Sequence, residues 1–176
     1  DVCQNFALKK IVFIPSARPP HKTHKEIIDP RHRLMMTNLA TASNPRFLVS
    51  TVEIERKGKS YSVETIKELR KIYGEKAELY LIVGIDDFLE ITTWKDREKL
   101  KNLCHFIVVS RFGYEMDNLR EKLPNSFIDK LVEKEENERV KNHNQQDHKI
   151  FLIKSMTMDI SSTVIRHRIK EEKSIR

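Results

Sequence analysis

Residues 79–88 read LYLIVGIDDF, an apolar run that ends in a glycine and two aspartates. A continuous apolar run of this length is typical of a strand that is covered on both faces, as in a parallel sheet. Gly84, directly after the run, has no side chain and lets a ligand approach the backbone closely. The stretch therefore predicts a buried strand whose carboxyl end carries polar groups.

Further apolar runs and helical patterns alternate along the rest of the chain. Other predicted strands cover residues 11–14, 47–49 (with an extension as far as 54), 106–109 and 150–153. Predicted helices carry Met35, Leu39 and Ala42, then Val63, Ile66, Leu69 and Tyr73 with Gly74 just past the end, and then residues 97–104. This alternation predicts an α/β protein with an open parallel sheet and helices on both faces, in a single domain over residues 1–176. The charged, amide-rich residues 133–149 are expected to form an exposed mobile loop.

Composition excludes several functional classes. With 33 basic and 26 acidic residues, the chain has a net charge of +7, which favours phosphorylated ligands, nucleic acid or an anionic membrane as partners. Only four glycines are present, so neither G-x-G-x-x-G nor a complete P-loop can be written. The sequence has no stripe of basic and aromatic residues of the kind that binds single-stranded nucleic acid. It has no apolar run long enough to span a membrane, and no signal-peptide pattern is recognised at its start. Two cysteines are too few for a disulfide framework, and Cys104 is interpreted as a core thiol. We expect a cytoplasmic protein.

The segments after the predicted strands carry the candidate binding groups, because ligands of open parallel sheets bind beyond the carboxyl ends of the strands. Residues 15–25, PSARPPHKTHK, form a stiff cationic loop that favours a phosphate contact over an ordinary basic surface. Residues 15–25 contain no carboxylate or cysteine to accompany His21 and His24, so no metal site is predicted there. After the second strand, Ser60, Tyr61 and Ser62 begin a helix whose first N–H groups can bind an anion, although Ser60 or Ser62 could simply cap it.

Three later segments leave alternatives open. Asp86 or Asp87 could bind a sugar hydroxyl or a metal, or could cap a helix. Trp94 is either a core residue or a stacking platform for a flat heterocycle, and Arg111 is either a surface residue or a phosphate contact. Residues 159–166, DISSTVIR, combine three hydroxyls with an arginine at a helix start, and N-capping explains only one of these groups.

Taken together, PPHK at 19–22, KSYSVET at 59–65, VGIDDF at 83–88, Trp94 and above all DISSTVIR at 159–166 resemble the nicotinate-nucleotide adenylyltransferase family. This family is the bacterial NAD-biosynthetic branch of the nucleotidyltransferase superfamily. The resemblance implies a Rossmann-like fold and transfer of AMP from ATP to nicotinate mononucleotide, with Mg²⁺ assisting. It implies small-molecule substrates with no nucleic acid or membrane partner, and it leaves a homo-oligomer open.

The resemblance also implies roles for individual residues. Lys22 would contact phosphates, and Arg111 is a weaker candidate on the mononucleotide side. Tyr61 and Ser62 would lie on the nicotinate side, with the N–H groups of Ser62 and Lys95 receiving the carboxylate and Trp94 stacking on the pyridine ring. The remaining residues would bind ATP: Gly84 and Asp86 beside the adenosine, and Ile160, Ser162, Thr163 and Arg166 at the adenine and triphosphate. Lys22 and Arg166 are the expected catalytic residues.

The sequence departs from the family pattern in two ways. Ser62 and Glu64 stand where the family usually has Thr and Asp. The family's glycine-rich strand and loop, with G-G-T-F-x-P and H-x-G-H, is absent, so we expect a chain truncated at both ends. Two alternatives remain: a sister adenylyltransferase acting on nicotinamide mononucleotide or pantetheine phosphate, and a non-catalytic relative that binds nucleotides or nucleic acid.

Overall fold

A computed structural model of the chain describes residues 2–20, 28–110, 116–134, 147–154 and 162–175. Its strands are β1 (Ile11–Phe13), β2 (Phe47–Val49), β3 (Tyr80–Gly84), β4 (His105–Ser110), β5 (Leu131–Lys134) and β6 (Ile150–Lys154). Its helices are α1 (Val2–Asn5), α2 (Pro30–Thr41), α3 (Val52–Glu55), α4 (Ser62–Tyr73), α5 (Ile85–Leu89), α6 (Arg97–Leu100), α7 (Met116–Lys122), α8 (Asn125–Ile128) and α9 (Ser162–Lys170). A short 3₁₀ helix covers Ile91–Thr93.

Every pair of neighbouring strands in the described residues is parallel, which confirms the predicted α/β class. β1 pairs with β2, and the other four strands form a sheet in the order β3-β4-β6-β5. Within each sheet the carboxyl ends of the strands share one edge, from which α5 departs directly after β3. Sequence reasoning missed β5, because its four residues include two charged ones at the sheet edge and show no continuous apolar run.

The strands are not all covered as the sequence predicted. β4 is buried except for the half-buried Val109, and the first four residues of β6 are buried, whereas all three residues of β1 are only half-buried and Ile82 of β3 is 38% exposed. β1 and β3 each pair with one strand only in the described structure, so they lack side-chain neighbours on the second edge. The prediction of two-sided coverage is therefore wrong for β1 and β3.

The main hydrophobic core lies between α4 and the four-stranded sheet. Val63, Ile66 and Leu69 project from one face of α4 into a cluster that includes Phe88 and Phe106. This confirms the predicted helical pattern at these three residues, whereas Tyr73 is 47% exposed. Burial of each large apolar side chain contributes about 1.5–3 kcal/mol. The helix ends where Gly74 adopts a φ of +84°, as expected for a glycine at this position.

Other local predictions need correction. The helix predicted over residues 97–104 ends at Leu100, because the chain turns through 101–103 before Cys104 leads into β4. β2 does not extend to residue 54, since α3 begins at Val52. Met35 and Leu39 on α2 are 61% and 78% exposed, so their shared face is not a core face here. The loop predicted at 133–149 starts inside β5, and its residues 135–146 lie outside the described part of the chain.

Candidate active site

The first turn of α4 is not capped by a side chain. Its N-cap residue is Tyr61, in an extended conformation, and the Ser62 N–H donates no hydrogen bond within the described residues. The Ser60 hydroxyl instead accepts the N–H groups of Ala17 and Arg18, at 3.1 and 3.2 Å. The interpretation of Ser60 or Ser62 as a simple N-cap is therefore wrong. The turn presents unused donors at the positive end of a helix dipole, which is a favourable place for an anion.

Lys95 brings the segment after β3 against this turn. Its ammonium group lies 4.7 Å from the centre of the Tyr61 ring and 3.4 Å from Oε1 of Glu64. The backbone N–H of Lys95, like that of Ser62, has no acceptor in the part of the chain that the structure describes. Tyr61, Ser62 and Lys95, predicted from separate segments, are therefore assembled at one place.

Trp94 directly precedes Lys95 and follows the 3₁₀ helix Ile91–Thr93. It is half-buried and packs against the main hydrophobic core, and its backbone N–H donates to the Ile91 carbonyl at 3.0 Å. Part of the side chain is therefore accessible and part is structural. The two alternatives for Trp94 are not exclusive, because a large indole can contact the core and still offer surface to a ligand.

Gly84 and the two aspartates lie at the carboxyl end of β3. Gly84 is exposed and has a negative φ of −69°, and a Cβ built on it would meet nothing closer than Asp87 Oδ2 at 4.0 Å. The space beside its backbone is therefore open. Asp86 and Asp87 are exposed in the first turn of α5, and the N-cap position belongs to Gly84, so helix capping does not account for either aspartate.

α9 carries the predicted phosphate cradle in part. Arg166 Nη2 donates to Thr163 Oγ1 at 3.4 Å, and both side chains are exposed, as is Ser162 at the start of the helix. No residue of α9 is buried. The described part of this predicted phosphate site thus contains an exposed hydroxyl and an exposed guanidinium that are hydrogen-bonded to each other.

Several predicted residues fall outside the described part of the chain. Lys22, His21 and His24 lie in residues 21–27, Arg111 in 111–115 and Ile160 in 155–161.

Sequence reasoning missed a charged network behind the first turns of α4. Thr65 Oγ1 donates to Glu53 Oε1 at 2.6 Å and accepts from Arg56 Nη2 at 2.9 Å, and Arg56 also pairs with Glu68 at 2.8 Å. Glu53 is 9% exposed, and the network joins α3 to α4. The available signal was Glu53 itself, a carboxylate between two apolar residues that needs a partner if it is buried.

A separate cavity of about 250 Å³ lies at the amino ends of β3 and β4, on the edge opposite Gly84. His105 and His148 line it together with Arg70 and Glu78. Burial lowers the pKa of His148. The Arg70 guanidinium donates hydrogen bonds to the backbone carbonyls of residues 75, 77 and 103, which joins the segment after α4 to the segment before β4.

Comparison with known proteins identifies the family. The sequence model of the cytidylyltransferase-like family matches residues 1–168. A Moorella thermoacetica protein named "Probable nicotinate-nucleotide adenylyltransferase" is 43% identical over 171 residues, covering 97% of this chain and 71% of its own length. A Thermoanaerobacter protein of the same name is 41% identical, covering 96% of this chain and 72% of its own length. The chain belongs to the nicotinate-nucleotide adenylyltransferases of the cytidylyltransferase-like family.

Solved structures agree on the fold. A Plasmodium falciparum nicotinic acid mononucleotide adenylyltransferase complexed with NaAD matches with a TM-score of 0.66 at 16% identity, covering 96% of this chain and 73% of the other. The same enzyme complexed with APC matches with a TM-score of 0.64, covering 96% and 72%. These matches confirm the Rossmann-like fold. Among the residues that the structure describes, no helix has the length and apolarity to cross a membrane.

Proposed function

We propose that this protein transfers AMP from ATP to the phosphate of nicotinate mononucleotide. An oxygen of the mononucleotide phosphate attacks the α-phosphorus of ATP, the bond from that phosphorus to the bridging oxygen breaks, and deamido-NAD and pyrophosphate are released. The reaction needs no covalent enzyme intermediate, only in-line positioning and neutralisation of charge. The observation that carries the proposal is the uncapped first turn of α4 with Lys95 against it, in a chain 43% identical to a relative with this name.

The mononucleotide side is built from α4 and the segment after β3. The N–H groups of Ser62 and Lys95, which have no acceptor among the described residues, are suited to donate hydrogen bonds to the nicotinate carboxylate, because backbone donors at a helix start favour an anion. The accessible part of Trp94 is suited to stack on the pyridine ring beside Tyr61. Arg111 remains a proposed contact to this substrate.

We assign the ATP side to the residues that follow β3 and to α9, which comes after β6 in the chain. The open space beside the Gly84 backbone accommodates the adenosine, with Asp86 placed for its hydroxyls. Thr163 and Arg166, with Ser162, are suited to hold the triphosphate by hydroxyl and guanidinium groups together. Ile160 and Lys22 are proposed at the adenine and at the phosphates. Lys22 and Arg166 are the cations that we propose neutralise charge developing on the reacting phosphates.

Mg²⁺ fits this residue set only as an ion that arrives with the nucleotide. The described residues contain no group of three or more His, Cys, Asp or Glu side chains arranged to hold a metal. Asp86 and Asp87 provide two exposed carboxylates at the end of β3, and Mg²⁺ commonly binds one or two carboxylates together with substrate phosphates. When bound, the ion would supply charge neutralisation on the triphosphate.

The test is a substrate panel with the full-length protein. ATP and Mg²⁺ are combined with nicotinate mononucleotide, nicotinamide mononucleotide or pantetheine phosphate, and both pyrophosphate and the adenylylated acceptor are measured. We expect deamido-NAD with the first acceptor. Turnover only with another acceptor would assign the protein to a sister activity, and nucleotide binding without turnover of any acceptor would assign it to a non-catalytic role.

A further inference from the structure

Ser60 joins two segments that are far apart in sequence. Its Oγ accepts the N–H of Ala17 at 3.1 Å and the N–H of Arg18 at 3.2 Å, and its own N–H donates to the Arg18 carbonyl at 2.9 Å. The residue is only 8% exposed, so these hydrogen bonds are shielded from water. Three hydrogen bonds therefore attach Ser60 to the loop after β1. Ser60 directly precedes Tyr61 and Ser62 in the chain.

The loop that receives Ser60 is itself held in place. Pro15 is buried, and the carbonyl of Ser16 accepts a hydrogen bond from Arg33 Nη2 on α2. Pro15, Pro19 and Pro20 also restrict the backbone on both sides of the contact with Ser60. The loop thus offers a fixed surface against which a neighbouring segment can be oriented.

Ser60 connects this loop to the residues that begin α4. No side chain caps the helix, and the turn is held on its core side by the buried Val63 and on its outer side by the contact between Tyr61 and Lys95. Thr65 Oγ1 bonds Glu53 Oε1 and the Tyr61 carbonyl, and Ser60 adds a separate attachment of the residues that enter the helix to the loop after β1.

We propose that Ser60 is a positioning residue that aligns the first turn of α4 for the acidic substrate. The inference rests on the proposed function, in which that turn receives the nicotinate carboxylate. Ser60 touches no substrate and acts through the backbone of Tyr61 and Ser62. Its loss therefore affects binding of the mononucleotide and not binding of ATP.

The test compares Ser60→Ala, Ser60→Thr and Thr41→Val in the full-length protein. Ser60→Ala is expected to raise both KM and the calorimetric Kd for nicotinate mononucleotide by about tenfold or more, with KM for ATP changed by less than about twofold, because small misplacements of binding groups are costly. Ser60→Thr keeps the hydroxyl oxygen and is expected to restore most of the affinity. Thr41 is also 8% exposed, and its hydroxyl donates to carbonyls of α2, so Thr41→Val controls for loss of a buried hydroxyl.

Amide hydrogen exchange adds a measurement that does not depend on activity. Ser60→Ala is expected to speed exchange at Ala17 and Arg18, and Thr41→Val is not. If Ser60→Ala does not fold, the comparison is made with Ser60→Cys, whose thiol is a weak acceptor. A wild-type protein that neither binds nor uses nicotinate mononucleotide would refute the proposed function. A wild-type protein that uses it, with an unchanged mononucleotide KM in the folded Ser60 variant, would refute the positioning role alone.

Discussion

The ammonium group of Lys95 lies over the ring of Tyr61, 4.7 Å from its centre. The two residues are 34 positions apart in sequence. A cation above an aromatic face contributes about 0.5–1 kcal/mol at an exposed site, so the contact is a modest attraction that keeps both segments adjacent. The backbone N–H groups of Ser62, next to Tyr61, and of Lys95 itself have no acceptor in the described structure. Their recognition of an acidic substrate can therefore be tested.

The acid should be preferred over the amide. We expect kcat/KM for nicotinate mononucleotide to exceed that for nicotinamide mononucleotide by at least about tenfold, because unpartnered N–H groups gain more from a carboxylate than from a neutral amide. Initial rates with each acceptor at saturating ATP provide the measurement. Equal values for the two acceptors would contradict the assignment of this turn as the carboxylate site.

Ser62→Pro separates the backbone donor from the side chain. Proline is tolerated at the first position of a helix, and Tyr61 before it is already extended, so α4 should form normally. The substitution removes the N–H and should reduce the preference for the acid by about tenfold, the loss expected for one hydrogen bond to a charged group. Ser62→Ala, which keeps the N–H and loses the hydroxyl, is the matched control. A preference that survives in Ser62→Pro would show that the carboxylate binds elsewhere.

Trp94→Ala should affect both substrate binding and stability. Stacking of an aromatic side chain on a base is worth about 1–3 kcal/mol, so KM for the mononucleotide should rise well above any change in KM for ATP. Because Trp94 also packs against the main core, the melting temperature should fall as well. Trp94→Phe keeps an aromatic face and should recover much of the binding. Unchanged KM values in a folded but destabilised Trp94→Ala protein would leave only the structural role.

Arg166→Ala should lower kcat without loss of stability. The side chain is exposed, and its described hydrogen bond is to Thr163 on the same helix, so removal should change the free energy of unfolding by no more than about 0.5 kcal/mol. Loss of a guanidinium that neutralises phosphate charge should cost about 2–4 kcal/mol of transition-state stabilisation, or roughly 30- to 1,000-fold in rate.

Arg166→Lys supplies the matched comparison for this prediction. It should recover part of the rate, because an ammonium group provides charge without the planar fork of a guanidinium. Arg168→Ala, on the same exposed helix, controls for loss of a positive charge. An Arg166→Ala protein that retains at least half of the wild-type kcat/KM for ATP would exclude the proposed role at the triphosphate.

Cys104 should make stability depend on alkaline pH. Burial raises the pKa of its thiol from 9.0 to about 12. Between these values the unfolded chain has released the proton and the folded chain retains it, so stability falls as pH rises through this window. One such proton contributes a slope of about 1.4 kcal/mol per pH unit. Denaturant unfolding from pH 8 to 11 should show a shallower decline in Cys104→Ala than in wild type, with Cys3→Ala as the control for loss of a thiol elsewhere.

The sequence alone predicted the features that depend on residues close together in the chain. Spacing of Val63, Ile66 and Leu69 located the buried face of α4, and Gly74 marked its end, because helical periodicity and backbone freedom are local properties. The continuous apolar run at 106–109 predicted the buried β4 for the same reason. The parallel α/β class followed from the alternation of such runs with helices.

Only the tertiary structure determined which distant groups meet. In the sequence Ser60 is interpreted as a helix cap. In the structure its hydroxyl accepts hydrogen bonds from Ala17 and Arg18, which are 43 and 42 positions away, because a nearby loop offers two backbone donors. β1 and β3 read as fully covered, yet side-chain burial depends on strands beside them, which no local pattern encodes. Trp94 could be assigned to core or surface only once its neighbours were known, since a single indole can pack on one side and remain accessible on the other.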